Sequence, residues 1–231
     1  MEHGMKKLEL RIDIISDVVC PWCIIGYKQL EKAISLFQQQ CLDSGQQFTP
    51  EIYWHPFLLN PETPAEGTNL RQHLMGKYGL SAEQSDDNRD RIIQLGQQLG
   101  FEFNFHDDIR TWNTFDIHRL LHWVSTISNQ QQTALKLALF DGYFTDAKPM
   151  NDFTLIAEIA GSVGLDKKQA MDVLQSDQYA EEINTIASQW RSQGISSVPA
   201  YVFDKKFLIS GGQDSSVFVD FFKQNLLEKA S

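Results

Sequence analysis

Cys20 and Cys23, separated by two residues, carry the plainest chemistry in the sequence. They stand in Asp17-Val18-Val19-Cys20-Pro21-Trp22-Cys23, between a strand-like run and a helix-like run. Such a pair can cycle between dithiol and disulfide, or give two thiolate ligands to a metal. A zinc site usually takes four ligands, and only Cys41 and scattered histidines remain to complete one. His118 and His122 lie a helical turn apart and could share an ion. However, Leu120, Leu121, Trp123 and Val124 around them read as the core and flank of a helix. The balance favours a redox pair over a metal site. Cys41 reads as a packing residue at a helix end.

The position of the pair sharpens the chemistry. With Cys20 as N-cap, Pro21 falls at the first helical position, where its missing N–H costs nothing. Trp22 and Cys23 then present free backbone N–H groups toward the Cys20 sulfur, and the helix dipole adds partial positive charge. Both effects favour thiolate, so Cys20 is expected to be the attacking sulfur, its pKa lowered from ~8.5 into the ~3.5–7.5 range. Cys23, one turn in, is expected to resolve the mixed disulfide. Each pKa unit is ~1.4 kcal/mol, or ~30 mV for a two-electron couple, so the thiolate stability at Cys20 sets the redox direction.

The elements that must position this pair follow from periodicity. Leu8, Leu10, Ile12 and Ile14 alternate with charged residues, the pattern of a strand. From Pro21 the spacing turns helical through Ile24, Ile25, Leu30, Ala33, Ile34 and Phe37, ending near Gln40 or Cys41. Phe48 to Trp54 reads as a second strand, completing β-α-β. A proline-rich loop follows, then helices over Leu70–Tyr78 and from a capping box at Ser81 and Gln84 to Gly100. Phe101, Phe103 and Phe105 read as an extended connector. Further helices are expected over Thr114 to about Ser128, Gln131 to about Phe144, Asp152–Val163, Asp166 to about Leu174, and Ser176–Arg191. Pro199–Phe203 and Phe207–Ile209 form a hairpin around Asp204-Lys205-Lys206, and a helix opening at Asp214 or Ser215 closes the chain. The order fits an α/β unit, residues 1–60 with 177–231, interrupted by an all-helical insertion of residues 61–176.

Composition bounds the partners. With 231 residues the chain can bury a sizeable core, and a formal charge of −10 offers no basic patch for nucleic acid. No polybasic run suggests an anionic membrane, and no stretch approaches the ~18 apolar residues of a span. Charges at every second residue from Glu9 to Asp13 leave no apolar core for a signal peptide, so a cytoplasmic location is expected. In that reducing compartment a close cysteine pair points to catalysis rather than to a structural bridge. The sequence leaves the oligomeric state open.

Taken with Val198-Pro199 before the late hairpin, the chain resembles the thioredoxin superfamily, in its DsbA-like branch. The likeness is to FrnE-like proteins and 2-hydroxychromene-2-carboxylate isomerases. It is carried by Ser16-Asp17-Val18-Val19-Cys20-Pro21-Trp22-Cys23-Ile24-Ile25-Gly26 and by Trp54-His55-Pro56-Phe57-Leu58-Leu59-Asn60-Pro61. Asn113-Thr114 with His118-Arg119-Leu120, Ala138-Leu139-Phe140 with Tyr143-Phe144, and Val198-Pro199-Ala200 with Ile209-Ser210-Gly211-Gly212-Gln213 complete it. The resemblance implies a thioredoxin-like sheet with a helical insertion and a cis Pro199 facing the cysteines. It also implies that Val198 offers backbone groups to a substrate or to glutathione. The implied activity is thiol–disulfide exchange without a bound cofactor, on a protein or a small molecule, with glutathione as redox partner or co-substrate.

The chain also departs from that pattern. The buried acid often found six positions before the first cysteine is Ile14 here, which leaves Asp17 and His55 as proton-acceptor candidates for Cys23. The isomerases and the kappa-class glutathione transferases usually carry Ser where this chain has Cys20, and the kappa-class Ser-Asp pair is replaced by Gly212-Gln213. Both differences favour dithiol exchange over a glutathione-dependent isomerase or transferase, which is the alternative. Trp22, Trp54, Phe57 and Trp112 are candidates to line an apolar cleft, with Trp22 exposed between the cysteines. Trp22, Trp54 and Val198 are the expected substrate contacts.

Overall fold

A computed structural model describes residues 6–227. Strand β1 (Lys6–Ser16) is followed by α1 (Pro21–Asp43) and β2 (Gln46–Pro56). Two short strands, β3 (Thr68–Asn69) and β4 (Arg110–Thr111), bracket α2 (Leu70–Tyr78) and α3 (Ala82–Gln98). Then come α4 (Phe115–Ser125), α5 (Asn129–Phe140), α6 (Phe153–Ser162), α7 (Lys167–Leu174) and α8 (Ala180–Ser192). The hairpin β5 (Ala200–Phe203) and β6 (Phe207–Ser210) and helix α9 (Ser215–Phe222) close the fold.

The main sheet has the order β2-β1-β5-β6. β1 runs parallel to β2, with Ile14 beside Trp54, and antiparallel to β5, with Ile14 beside Tyr201. β1 is thus a central strand, which explains why its alternation gives way to continuous burial from Ile12 to Ser16. Ile12 and Ile14 join the core shared with Phe37, Phe218 and Phe222 of α1 and α9. Ile15 packs on the other face with Phe57, Ile195 and Ala200, beside Trp190 of α8. Three layers result, and the cysteine motif sits where β1 passes into α1.

Local chemistry sets most element ends. Asn69 caps α2 through a bond from the Gln72 N–H, and left-handed Gly79 stops it. The Ser81–Gln84 capping box starts α3. Asp152, Asp166 and Asp214 cap α6, α7 and α9. The Phe101–Phe105 stretch is an unpaired connector whose rings pack on Phe144.

Several boundaries differ from the sequence reading. α1 continues past Cys41 to Asp43, because Ser44 supplies the terminal N–H bonds to Cys41 and Leu42. The helix expected to run to Phe144 passes after Phe140 into a π-helical turn, Asp141–Thr145. α8 starts at Ala180, not at Ser176, because Tyr179 takes a left-handed conformation (φ 65°) that breaks the helical path.

Candidate active site

Cys20 is the N-cap of α1, with extended backbone (φ −98°, ψ 110°) and Pro21 at the first position. The expected amide bonds to its sulfur do not form: the Cys23 N–H donates instead to the Cys20 carbonyl at 3.0 Å. The Cys20 thiol turns toward the late hairpin, its Sγ 3.7 Å from the Val198 carbonyl oxygen. The Val198–Pro199 peptide is cis. Both cysteines are free thiols; Cys20 is 5% exposed and Cys23 fully enclosed. Cys20, Val198 and Pro199, read from distant parts of the sequence, are thus brought together. Cys23 lies one turn behind.

In front of Cys20 opens a cavity of ≈950 Å³. One wall is Val19, Cys20, Pro21, Trp22, Phe57 and Val198; the opposite wall comes from α2, α3 and the 105–109 segment, including Leu74, Ile92 and Ile109. Trp22 lines this cavity but is half-buried rather than exposed, with the Arg91 guanidinium 5.7 Å above its ring. Helix α3, which packs over the start of α1, covers it. Trp54 does not reach the cavity. It is buried, its indole N–H donates to Thr133 Oγ1 at 2.9 Å, and its ring packs on Tyr27 and Phe140. Trp112 is likewise a core residue, packed beside Gly67, and lies outside the cavity lining. Of the four aromatic candidates, Trp22 and Phe57 line the cavity that Cys20 borders.

Behind Cys23 lies a buried ionic cluster. Asp17 is fully buried and accepts from the backbone N–H groups of Leu59 at 2.9 Å and Val19 at 3.4 Å. Its Oδ1 is 3.6 Å from His118 Nε2, which also bonds the Phe57 carbonyl at 3.1 Å. Burial works to raise the Asp17 carboxyl, but His118, the Leu59 N–H and the charge of Lys136 together hold it below the usual range. Burial pushes His118 down, so its ring is held neutral against the pull of Asp17. Burial likewise pushes the Cys23 thiol well up; the neighbouring Cys20 adds to this, while the Asp17 backbone N–H and Lys136 oppose it.

Lys136 escaped the sequence reading. It lies on α5, 1% exposed, its Nζ 5.5 Å from the Trp54 ring centroid and 5.1 Å from that of Phe140. Burial brings its pKa down to about 8, while Asp17, Cys23 and Cys20 pull it back up. A signal was present: Lys136 falls four residues after Gln132 and four before Phe140, inside the run Ala134–Leu139, and so on the packed face of its helix.

His55 is placed away from Cys23. Its Nε2 pairs with Asp13 at 2.6 Å, and its ring leans on Trp190. Among the described residues no cluster of three or more His, Cys, Asp or Glu is placed to hold a metal. Gln213 bonds the Ser210 carbonyl, bracing the turn beside Trp22.

The model of the DSBA-like thioredoxin domain matches residues 11–223. The chain belongs to this family. A Streptomyces coelicolor protein described as a probable DsbA oxidoreductase is 30% identical, covers 93% of this chain and 89% of its own, and superposes with a TM-score of 0.83. A 2-hydroxychromene-2-carboxylate isomerase shares the fold at 14% identity and TM-score 0.64, covering 96% of this chain and 99% of its own. The cytosolic disulfide reductase DsbM of Pseudomonas aeruginosa does so at 11% identity and TM-score 0.63, covering 94% and 98%. Its structure with GSH is similar at TM-score 0.60, 10% identity, and coverage of 95% and 98%. The DsbA-like fold here is a thioredoxin-like sheet with helices inserted between β2 and β5. No helix of the described residues is long and apolar enough to cross a membrane.

Proposed function

We propose that this DsbA-like protein is a cytoplasmic thiol–disulfide oxidoreductase that cycles Cys20 and Cys23 between dithiol and disulfide. One observation carries the reading. Cys20 stands at the start of α1 on the wall of the large cavity, while Cys23 sits one turn behind, enclosed and with its thiol pushed up. The two sulfurs are therefore inequivalent in the way attack and resolution require. The likeness to the Streptomyces protein supports the same chemistry. The DsbM structure with GSH supports glutathione as a redox partner or co-substrate.

In this reading the Cys20 thiolate attacks a substrate disulfide, forming a Cys20–substrate bond and expelling one substrate thiolate. Cys23 then loses its proton and attacks the Cys20 sulfur. The Cys20–Cys23 bond forms, the mixed disulfide breaks, and the second substrate thiolate leaves. Two electrons pass from the protein to the substrate; the reverse sequence oxidises a substrate dithiol. Pro199 and the Val198 carbonyl hold the reacting chain beside Cys20, and Trp22 and Phe57 offer apolar contact. Residues 1–60 with 177–231 carry the cysteines, and residues 61–176 close the cavity over them.

Cys23→Ala tests this reading. With resolution blocked, the variant should accumulate a stable mixed disulfide on Cys20, visible by mass spectrometry of intact protein under non-reducing conditions. If it instead binds glutathione only reversibly, with no mixed disulfide formed, the isomerase or transferase alternative takes its place.

A further inference from the structure

The cavity bordered by Cys20 has a roof, made of α2, α3 and the 105–109 segment. These parts hold together as a unit. Arg71 of α2 pairs with Asp86 of α3, Arg89 of α3 pairs with Asp107, and the Leu70 N–H donates to the Ile109 carbonyl at 2.9 Å. Asn60 ties this unit down to the loop that follows β2. Its Nδ2 donates to Thr111 Oγ1 at 2.9 Å, and its Oδ1 accepts from Lys77 Nζ at 2.9 Å and lies 2.9 Å from His73 Nε2. Lys77 also donates to the Leu59 carbonyl at 2.9 Å, and Arg91 of α3 lies over Trp22. We propose that this roof restricts Cys20 to small anionic disulfides and thiols, excluding protein chains, and that Asn60 is the positioning residue that holds it in place.

The walls set the size. A cavity of ≈950 Å³ is of the volume that small ligands fill. Cys20 is 5% exposed, and its Sγ stands 3.7 Å from the Val198 carbonyl oxygen, so a substrate has to come to it inside the cavity. A protein disulfide would bring two backbones there, with flanking residues on both sides of each sulfur. Leu74, Ile92 and Ile109 stand across that path, whereas a drug-sized molecule fits beneath them.

The polar lining sets the sign. Four cations, Arg71, Lys77, Arg89 and Arg191, are set against two carboxylates, Asp86 and Asp107, in a chain whose formal charge is −10. Both carboxylates are taken up by Arg71 and Arg89. Lys77 and Arg191 have no carboxylate partner among the described residues. They donate to the Leu59 and Leu58 carbonyls, and so stand at one edge of the cavity. An excess of one sign in a low-dielectric cleft concentrates the opposite charge. A disulfide with an apolar body and a carboxylate matches both the Leu74, Ile92 and Ile109 wall and this edge. The exchange is the one described above: Cys20 bonds one half of the small disulfide and expels the other as thiolate, and Cys23 then displaces the bound half.

The restriction rests on the dithiol–disulfide reading, and one assay separates the two. The reduced full-length chain, in a Cys41→Ala background, is mixed separately with neutral 4,4′-dithiodipyridine, dianionic 5,5′-dithiobis(2-nitrobenzoate) and insulin. Each rate of Cys20–Cys23 oxidation is divided by the rate of the same disulfide with dithiothreitol, which cancels intrinsic reactivity. On this scale wild type should react with dithiodipyridine about a hundredfold faster than with insulin; parity overturns the restriction. Asn60→Ala loosens the roof and should raise the insulin-to-dithiodipyridine ratio about tenfold. A residue that merely supports the fold would move both rates together, and an unchanged ratio overturns the assignment of Asn60. Should Asn60→Ala fail to fold, Lys77→Met removes two of the ties and should raise the same ratio; no rise overturns it equally. Arg191→Met, in the exposed last turn of α8, should lower the nitrobenzoate-to-dithiodipyridine ratio about threefold to tenfold at ~10 mM salt, and the loss should vanish at ~0.5 M. Equal loss with both reagents, or none, overturns the anionic preference. If wild type releases no thiol from dithiodipyridine, the dithiol–disulfide reading itself falls, and the restriction with it.

Discussion

Gln132 occupies, beside Trp54, the place of a missing neighbouring strand. Its side-chain oxygen accepts from the Trp54 backbone N–H at 3.2 Å, and its amide donates to the Trp54 carbonyl at 3.1 Å. β2 is an edge strand, so these two backbone groups would otherwise be buried without partners. Helix α5 is thereby registered on the sheet, and Lys136 is placed one turn further along it. Gln132→Ala removes both bonds, each worth about 1–3 kcal/mol when the group left behind is buried. The expected loss is about 2–6 kcal/mol in urea unfolding. Retention of the wild-type midpoint would mean that α5 is held on β2 by its apolar contacts alone.

Gly26 is where α1 meets the late hairpin. A Cβ there would stand 2.3 Å from the Tyr201 hydroxyl oxygen, 3.1 Å from Gly212 Cα and 3.2 Å from Pro199 Cγ. Gly26→Ala is therefore expected to destabilise by about 1–3 kcal/mol, the usual cost of overpacking, and to slow attack by Cys20 through displacement of Pro199. The Tyr201 hydroxyl is buried and has no hydrogen-bond partner among the described residues, so Tyr201→Phe sacrifices little. Added to Gly26→Ala, it should recover part of the loss, not all, because Gly212 and Pro199 still crowd the site. A double-mutant cycle by thermal unfolding measures the coupling; strict additivity would show that the hydroxyl is not the obstacle.

What was legible in the sequence follows from range. The α2 stop at Gly79, the Ser81–Gln84 capping box and the β5–β6 hairpin are decided by residues a few positions apart, and they stand where periodicity and caps place them. The two-residue β3–β4 pairing of Thr68–Asn69 with Arg110–Thr111 is too short for any periodicity and joins segments some forty residues apart. Trp54 has the composition of a cleft residue, but the docking of α5 turns it inward onto Thr133. Arg119 stood out only through family likeness. The fold shows its work: its guanidinium collects the carbonyls of Val173 and Leu174 in the last turn of α7 and of Gln178 beyond it, with Asp116 alongside. The cysteine pair was plain from the start. The charge behind it, on a helix more than a hundred residues downstream, was not.

Asp13 gives the acid limb of stability a specific origin. Burial works to raise its carboxyl, but hydrogen bonds from His55 and Arg11, with their charges, bring it down to about 2 from an ordinary 3.8. The folded state thus binds this proton more weakly than the unfolded chain. The stabilisation is fully present above about pH 4 and is lost as pH falls from about 4 to about 2. Asp13→Asn keeps the shape but removes the charge that holds His55 across the β1–β2 pairing and Arg11 along β1 itself. Wild type should therefore exceed the variant in urea midpoint at pH 6, and the gap should close across the pH 4 to 2 window. A gap that stays constant down to pH 2 would assign the loss to altered packing, and the ionised carboxylate would have no part in it.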